Sequence, residues 1–316
     1  MPDVVTLGET MALFAPREAG PLRYVADFQL KIAGAETNFA TAVVRLGLSA
    51  GWISRVGNDP LGRHMLHHLR GEGLDLRGAR VDADAPTGLV VKEMDATGES
   101  SMLYYRRGSA ASRLAPDDLD PEYVQSARWL HLTGIAPALS ASCRATVESA
   151  IELARSAGLT VSFDPNLRLK LWTIEQARET LLPMMARCAV LLGGADELAK
   201  LLRVDNPDDA ADWALERGAS LVAVKLGPRG ALVATPEERR VVSGYTVPVV
   251  VDTIGAGDGF DAGLVAGQLL GWDPWRSAEL GNAVGAHALM VRGDYEGFPS
   301  MPEALAFMAG QARVTR

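Results

Sequence analysis

The 316-residue chain has little of what marks several large classes of protein. Its 2 cysteines, Cys143 and Cys188, are too few for a disulfide framework and form no Cys-x-x-Cys pair, so a structural zinc site is not expected. Buried free thiols and a cytoplasmic location are the simplest interpretation. No uninterrupted apolar run reaches the ~18 residues of a membrane span, and the first residues do not resemble a signal peptide.

An excess of basic residues is also absent. The chain has 31 lysines and arginines against 39 aspartates and glutamates, which gives a formal charge of −8. Because nucleic acids and anionic membranes are bound by clustered basic residues, neither is an expected partner. Any phosphate chemistry must therefore come from a local site. Hydrophobic residues make up 48% of the sequence, which is enough for a large core.

Short apolar runs alternate with segments of helical spacing. The runs that read as buried strands are residues 4–7, 50–55, 128–132, 160–163, 190–192 and 221–225. Helical spacing follows in residues 39–46, 141–158 and 173–187, where Thr173 and Gln176 form a predicted capping box. This alternation predicts an α/β protein with a mainly parallel central sheet and helices on both faces.

Two segments break this rhythm. Residues from about 12 to 33 contain strand-like pieces around Pro16 and Pro21. Residues from about 86 to 114 alternate apolar and polar around Ala96-Thr97-Gly98, which is typical of a β-hairpin. These strands form either a small lid on the α/β body or edge strands of the main sheet, and their spacing favours neither.

The most informative motif is Asp252-Thr253-Ile254-Gly255-Ala256-Gly257-Asp258, which follows an apolar run at 247–251 and precedes a helical pattern. The two glycines allow the backbone to approach a ligand, and the amides that begin the helix favour an anion. Asp258 is placed to accept a proton from a hydroxyl that attacks a phosphoryl group. The alternative is a structural strand–helix turn.

Two better-known glycine motifs do not fit this segment. The dinucleotide fingerprint requires glycine where Phe260 stands, and the P-loop requires a Gly-Lys pair, which occurs nowhere in the chain. An NAD-dependent dehydrogenase is therefore disfavoured. Gly259, Gly263 and Gly267 recur every four residues, which predicts close packing between a helix and the sheet.

Two further segments have a functional and a structural interpretation each. Residues 225–230 join a strand to a turn, either to contact nucleotide phosphates or as an ordinary hairpin turn. Residues 33–38, Ala-Gly-Ala-Glu-Thr-Asn, begin a helix, and Glu36 and Asn38 either cap it or bind hydroxyl groups of a polyol.

With these two glycine motifs near its two ends, the chain resembles the ribokinase-like (PfkB) carbohydrate kinases over essentially its whole length. The resemblance implies transfer of the γ-phosphoryl group of ATP to a sugar hydroxyl, with Mg²⁺. It implies a three-layer α/β/α ribokinase-like fold in a single unit of residues 1–316. Segments 12–33 and 86–114 would be its β-sheet lid. A monovalent cation such as K⁺ near residues 252–254 is a further possibility in this family.

The resemblance also implies a role for individual residues. Asp258 would be the base, and Gly255, Ala256 and Gly257 the anion hole. The implied sugar contacts are Gly34, Ala35, Glu36, Thr37, Asn38, Tyr104, Tyr105, Arg106, Arg168, Asp258 and Asp294. The implied nucleotide contacts are Asn166, Arg168, Lys225, Gly227, Arg229, Gly230, Gly255, Gly257 and Asn282. Glu197 is implied near the metal through phosphate or water, although Gly194 replaces the asparagine of the family's Asn-x-x-Glu.

Three short segments, residues 104–110, 164–168 and 292–294, are similar to those of 2-keto-3-deoxygluconate kinases. A substrate carboxylate favours arginine and tyrosine partners, and Tyr104 and Arg106, two apart on a strand, share a face. Val90 departs from this subfamily, which often has tyrosine there. Fructokinase, ribokinase and a non-catalytic sugar-acid sensor are the alternatives. Exposed lid strands predict pairing of subunits.

Overall fold

The structure is a computed structural model that describes residues 1–94 and 100–310. Within these residues, nine strands form a large sheet and four strands form a separate small sheet. The turn predicted at Ala96-Thr97-Gly98 lies outside the described residues. No helix of the described chain has the length and apolar character needed to cross a membrane.

The large sheet is mainly parallel. Its strands are β1 (Val4–Leu7), β4 (Ala50–Gly57), β5 (Ala79–Asp82), β8 (Trp129–Thr133), β9 (Thr160–Asp164), β10 (Val190–Gly194), β11 (Leu221–Lys225), β12 (Ala231–Ala234) and β13 (Arg239–Val242). Their order is β13-β12-β11-β10-β9-β8-β1-β4-β5. Neighbours from β11 to β5 pair in parallel, and β12 and β13 add an antiparallel edge. The predicted parallel sheet is confirmed.

Helices cover both faces of this sheet. One face carries α1 (Ala35–Arg45), α2 (Pro60–Gly71), α9 (Ala256–Leu269), α10 (Pro274–Leu289) and α11 (Met301–Met308). The other carries α3 (Pro121–Gln125), α4 (Ile135–Leu139), α5 (Ala141–Ser156), α6 (Ile174–Met185), α7 (Ala195–Leu202) and α8 (Pro207–Leu215). A hydrophobic core lies on each face of the sheet, and successive strand residues point into opposite cores. Val5 and Leu7 pack in one core and Val4 in the other. The three-layer prediction is confirmed.

The small sheet consists of β2 (Met11–Pro16), β3 (Phe28–Ala33), β6 (Leu89–Met94) and β7 (Ser100–Tyr105), in the order β3-β2-β6-β7. The pairing of β6 with β7 is antiparallel, as the hairpin pattern predicts, and these strands do not extend the large sheet. On β6 the buried positions are Val90, Lys92 and Met94. A lysine therefore lies between two apolar residues on the buried face of this strand.

One apolar run lies outside both sheets, and one local prediction is wrong. Residues 247–251 form no strand, and Val249, Val250 and Val251 are 64%, 56% and 48% exposed, since Pro248 interrupts the run and no neighbouring strand pairs with it. The glycines of α9 pack against a helix instead of the sheet. A Cβ on Gly263 would lie 2.7 Å from the Cα of Gly281 in α10, so these glycines allow two helix backbones to touch.

Candidate active site

The candidate site lies at the carboxyl ends of the parallel strands. Thr133, Asp164 and Lys225 end β8, β9 and β11, and Glu9 follows β1. Parallel strands bring these ends to one edge of a sheet, where α/β proteins usually bind ligands. The first turn of α9 lies at the same edge, because Nζ of Lys225 is 3.4 Å from where a Cβ on Gly257 would be.

The glycine turn before α9 has the backbone geometry expected of an anion hole. Gly255 is the N-cap of α9 with a φ of 78°, a conformation that favours glycine. A Cβ on Gly255 would lie 1.7 Å from the carbonyl oxygen of Asp294. The first amides of a helix, here those of Ala256 and Gly257, have no acceptor within the helix and attract anions. Phosphate binding at these amides stays a prediction.

Asp258, in the first turn of α9, joins the two glycine motifs. Nδ2 of Asn38 donates a 2.8 Å hydrogen bond to Oδ2 of Asp258, across 220 residues of sequence, and Nδ2 of Asn166 lies 3.5 Å from Oδ1. Burial raises the pKa of Asp258 to about 6, while the Asn38 bond and the charges of Lys225 and Arg168 act to lower it. A carboxylate with this pKa suits a general base at neutral pH.

Four buried oxygen atoms near Asp258 have no hydrogen-bond partner among the described residues: Oε2 of Glu36, and Oδ1 of Asn38, Asn166 and Asp294. Buried polar atoms in folded proteins are nearly always paired. Burial raises the pKa of Glu36 and of Asp294 to about 7. A ligand rich in hydroxyl groups fits this set of acceptors, because each hydroxyl donates one hydrogen bond.

Lys225 has two buried carboxylate partners. Its Nζ lies 2.8 Å from Oδ2 of Asp164 and 3.0 Å from Oδ1 of Asp261. Burial opposes ionisation of Asp164, yet Lys225 and other hydrogen-bond partners hold its pKa at about 2. Burial raises the pKa of Asp261. Burial works against the Lys225 ammonium, but the two carboxylates outweigh it and raise its pKa. The ammonium is therefore held beneath the glycine turn.

Arg106 is oriented by a residue that the sequence did not single out. Its Nε donates a 2.6 Å hydrogen bond to Oε2 of Glu9, and Oγ of Ser109 donates to Oε1 at 2.5 Å. The guanidinium carbon lies 5.6 Å from the centre of the Tyr104 ring, although β7 ends at Tyr105 and Arg106 follows the strand instead of lying on it. Tyr105 is 64% exposed and alternates to the other face. The terminal nitrogens of Arg106 provide further donors for a carboxylate.

The rest of the early glycine motif lies where α1 begins. A Cβ on Gly34 would lie 2.7 Å from the carbonyl oxygen of Glu9, so this close approach requires glycine. Ala35 is buried, and Oγ1 of Thr37 lies 2.8 Å from Oγ1 of Thr10. The motif is thus packed between the end of β1 and the candidate sugar site.

Four of the predicted nucleotide contacts lie at the end of β11 and in the turn after it: Lys225, Gly227, Arg229 and Gly230. Gly227 and Gly230 have φ values of 62° and 93°, and Arg229 between them is exposed. A Cβ on Gly230 would lie 2.0 Å from the carbonyl oxygen of Val242. Nδ2 of Asn282 donates a 3.1 Å hydrogen bond to that same oxygen. Asn282 therefore ties α10 to the end of β13, a structural use of its amide that the sequence did not predict.

Glu197 lies in the first turn of α7, where the amide of Gly194 donates a 3.3 Å hydrogen bond to its Oε2. Burial raises the pKa of Glu197, and the charge of Asp164 adds to this effect. In the part of the chain that the structure describes, no three acidic, histidine or cysteine side chains are grouped to hold a metal by themselves. Mg²⁺ is usually held by one or two carboxylates together with phosphate oxygens. A magnesium ion carried by a nucleotide fits this arrangement.

Sequence reasoning missed Glu9, Lys92 and Asp261. Glu9 had a usable signal, since polar residues directly after a parallel strand are frequent ligand contacts. Lys92 had no such signal in the sequence, because its partner Asp252 is 160 residues away and the pair exists only in the folded chain. Asp261 lies on an apolar, glycine-rich helix, where the carboxylate gave no indication of its partner Lys225.

A buried carboxylate beside helix-initiating glycines, at the edge of a parallel sheet, is the arrangement expected of an enzyme that transfers a phosphoryl group to an alcohol. The family described as "pfkB family carbohydrate kinase" matches residues 1–301. The chain belongs to this family, as the resemblance in its two glycine motifs predicts.

Two curated relatives cover nearly the whole chain. A 2-dehydro-3-deoxygluconokinase of Bacillus subtilis (strain 168) is 40% identical over 314 residues, 99% of this chain and 97% of the relative. A 2-dehydro-3-deoxygluconokinase of Thermoproteus tenax is 38% identical over 96% of this chain and 93% of the relative.

Solved structures with the same fold are known. A putative ribokinase II from E. coli in complex with ATP and Mg²⁺ has a TM-score of 0.92 and 28% identity, covering 98% of this chain and all of that one. A 2-dehydro-3-deoxygluconokinase from Thermotoga maritima has a TM-score of 0.90 and 28% identity, with the same coverage. A fructokinase double mutant from Vibrio cholerae O395, bound to fructose, ADP and a potassium ion, has a TM-score of 0.84 and 28% identity over 97% of this chain and 99% of that one.

Proposed function

We propose that this chain phosphorylates the terminal hydroxyl of 2-keto-3-deoxygluconate (2-dehydro-3-deoxygluconate) with ATP, giving 2-keto-3-deoxy-6-phosphogluconate. The observation that carries the proposal is the buried carboxylate of Asp258, in the first turn of the glycine-initiated helix α9. Asn38 of the early motif donates a hydrogen bond to it. The two curated 2-dehydro-3-deoxygluconokinases, at 40% and 38% identity, support the choice of substrate.

The proposed reaction is a direct in-line transfer. Asp258 accepts the proton of the terminal hydroxyl while that oxygen bonds to the γ-phosphorus of ATP, and the bond from this phosphorus to the β-phosphate oxygen breaks. The amides of Gly255, Ala256 and Gly257 hold the transferring group, and Arg168 adds positive charge. Mg²⁺ bound with the nucleotide would neutralise phosphate charge, with Glu197 as its protein-side neighbour.

The small sheet is proposed to act as the lid over the sugar acid. Its strands carry Tyr104 and lead into Arg106, and the Glu9 carboxylate fixes the Arg106 guanidinium. Nζ of Lys170, from the loop after β9, donates to the carbonyl oxygen of Met102 at 3.3 Å, so the sheet contacts the body near the site. Exclusion of water under this sheet would limit hydrolysis of ATP without sugar acid.

The test is an ADP-release assay with 2-keto-3-deoxygluconate, 2-keto-3-deoxygalactonate, fructose and ribose. We expect the highest kcat/KM with 2-keto-3-deoxygluconate. Arg106→Gln is expected to lower this value about 10–150-fold, as the loss of a hydrogen bond to a charged group predicts, and to leave the value for fructose nearly unchanged. Arg107→Gln is the matched control, because Arg107 is exposed.

Equal losses with fructose and with the keto acid in Arg106→Gln would contradict recognition of a carboxylate by Arg106. A preference for fructose or ribose in the wild-type chain would replace the substrate proposal by fructokinase or ribokinase. Absence of ADP release with every sugar would favour a sugar-acid sensor.

The pH dependence of kcat/KM provides a second test. Asp258 must be ionised to act as a base, and burial places its pKa at about 6. We therefore expect kcat/KM to fall as the pH drops through about 6. Arg168→Gln should move this acidic limb of the pH profile, the fall in kcat/KM at low pH, to higher pH, because the Arg168 charge lowers the pKa of Asp258. A limb that stays at the same pH in this variant would argue against its assignment to Asp258.

Subunit pairing through the small sheet is also part of the proposal. Its edge strand β7 carries Leu103, Tyr104 and Tyr105, which are 41%, 41% and 64% exposed. Unpaired strand edges are commonly covered by another chain. A cytoplasmic location is proposed on different grounds, since Cys143 and Cys188 are both buried free thiols.

A further inference from the structure

Lys92 forms a buried ion pair between the small sheet and the turn that precedes the glycine motif. Its Nζ lies 2.6 Å from Oδ2 of Asp252, and the two side chains are 8% and 7% exposed. Lys92 lies on β6 between Val90 and Met94, on the buried face of the strand. Removal of either partner would leave the other charge buried and unpaired, which is strongly destabilising.

Asp252 is fully engaged by this arrangement. While Oδ2 accepts from Lys92, Oδ1 accepts a 3.3 Å hydrogen bond from the amide of Ile254. The amides of Val251 and Asp252 donate to the carbonyl oxygen of Leu289, the last residue of α10. The turn at residues 252–254 is therefore fixed to α10 by its backbone and to the small sheet by its carboxylate.

The Lys92 ammonium also acts on the segment that contacts the glycine turn. Its charge acts on the buried carboxyl of Asp294, and the carbonyl oxygen of Asp294 is the atom that a Cβ on Gly255 would touch. Asp252 itself precedes Gly255 by three residues. One positive charge thus pairs with the carboxylate of Asp252 and acts on the carboxyl of Asp294, in the two segments next to Gly255.

This arrangement does not fit the monovalent cation that the family resemblance implies near residues 252–254. A lysine ammonium carries the same single charge as K⁺ and is a compact donor of hydrogen bonds. The Asp252 carboxylate that would attract K⁺ is already neutralised by Nζ of Lys92 at 2.6 Å. The Vibrio cholerae fructokinase, by contrast, is a potassium-bound form.

We propose that Lys92 supplies from the small sheet the positive charge that K⁺ would otherwise supply at residues 252–254, so that this chain needs no monovalent cation. Since Lys92 is on the proposed lid and Asp252 on the body, the charge reaches the turn only when the two are in contact. The inference rests on the proposed kinase function for its catalytic consequence, but not for the cation site itself.

The first experiment compares potassium chloride with choline chloride at equal ionic strength. We expect wild-type kcat and the wild-type unfolding temperature to be the same in both salts. Lys92→Ala is expected to lose ~10-fold or more of kcat in choline chloride, as the loss of a charged hydrogen bond predicts, and to recover activity in potassium or ammonium chloride. Its unfolding temperature should rise with potassium and not with choline.

Lys31→Ala is the matched control. Lys31 also links the small sheet to the body, because its Nζ lies 2.7 Å from Oε1 of Glu296, but it does not contact residues 252–254. This variant is expected to lose stability without gaining any response to potassium. A potassium response in Lys31→Ala equal to that of Lys92→Ala would show a general effect of loosening the small sheet and would overturn the proposal.

Activation or thermal stabilisation of the wild-type chain by potassium over choline would also overturn it, as would a Lys92→Ala variant that keeps full activity in choline. Should Lys92→Ala not fold, the wild-type comparison decides between the two outcomes. The unfolding temperatures require no turnover, so a chain that phosphorylated none of the tested sugars would refute the proposed function and still leave the role of Lys92 tested.

Discussion

Asp258→Asn is expected to lower kcat by about 10²–10⁴-fold, the range that general-base catalysis typically contributes. Asparagine keeps the size of the side chain and a hydrogen-bonding oxygen for Asn38, but it cannot accept the substrate proton. We expect a much smaller change in KM, because the binding partners around Asp258 remain. Steady-state ADP release with the preferred sugar acid measures both constants.

Two controls separate catalysis from folding in this experiment. Asp196→Asn removes an exposed aspartate from the first turn of α7, a comparable helix position, and should leave kcat unchanged. Because burial raises the pKa of Asp258, its ionised form costs stability at neutral pH, so Asp258→Asn should unfold at no lower a temperature than the wild type. A variant with wild-type kcat would remove Asp258 from the role of base.

Lys225→Met is expected to have the largest effect on stability, lowering the free energy of unfolding by about 3–5 kcal/mol. The substitution keeps the length of the side chain but leaves Asp164 and Asp261 without their shared cation, and both carboxyls are almost fully buried. Urea unfolding followed by tryptophan fluorescence provides the measurement. Loss of the ammonium should also raise the pKa of Asp258, which it normally lowers.

Arg239→Met is the control for this variant, because Arg239 also pairs with two aspartates, Asp208 and Asp212, but on the surface. Exposed pairs contribute about 0–1 kcal/mol. Similar losses in Lys225→Met and Arg239→Met would contradict the conclusion that burial makes the Lys225 cluster important. A shift of the acidic limb to higher pH in Lys225→Met would link the cluster to Asp258.

In this site, the proposed reacting groups are held in position by charged residues that take no part in the reaction. Glu9 fixes Arg106, Lys225 fixes Asp164 and Asp261 beneath the glycine turn, and Lys92 fixes Asp252 in front of it. Such supporting contacts keep reacting groups within the narrow geometry that catalysis requires. Variants of the supporting residues are therefore expected to affect kcat through the position of Asp258 and the anion hole.

The amino-acid sequence by itself determined the fold class and the main motifs. Apolar runs such as Val4–Leu7 and Leu221–Lys225, alternating with helical spacing, are sufficient for a parallel sheet between two helix layers, because burial on both faces requires continuous apolar strands. Residues 252–258 predicted the turn before α9 because glycine spacing and a first-turn aspartate are local properties. The capping box of Thr173 and Gln176 is confirmed for the same reason.

Only the tertiary structure decided which charges face one another. The spacing of residues 86–114 predicted a hairpin but not that Lys92 lies on its buried face, since the face of a strand is set by what packs against it. Lys92 meets Asp252 and Lys225 meets Asp164 across 160 and 61 residues, distances at which sequence spacing has no information about contact. The valines at 249–251 stayed outside the sheet because a strand forms only where a neighbour offers hydrogen bonds, and an apolar pattern alone does not supply that neighbour.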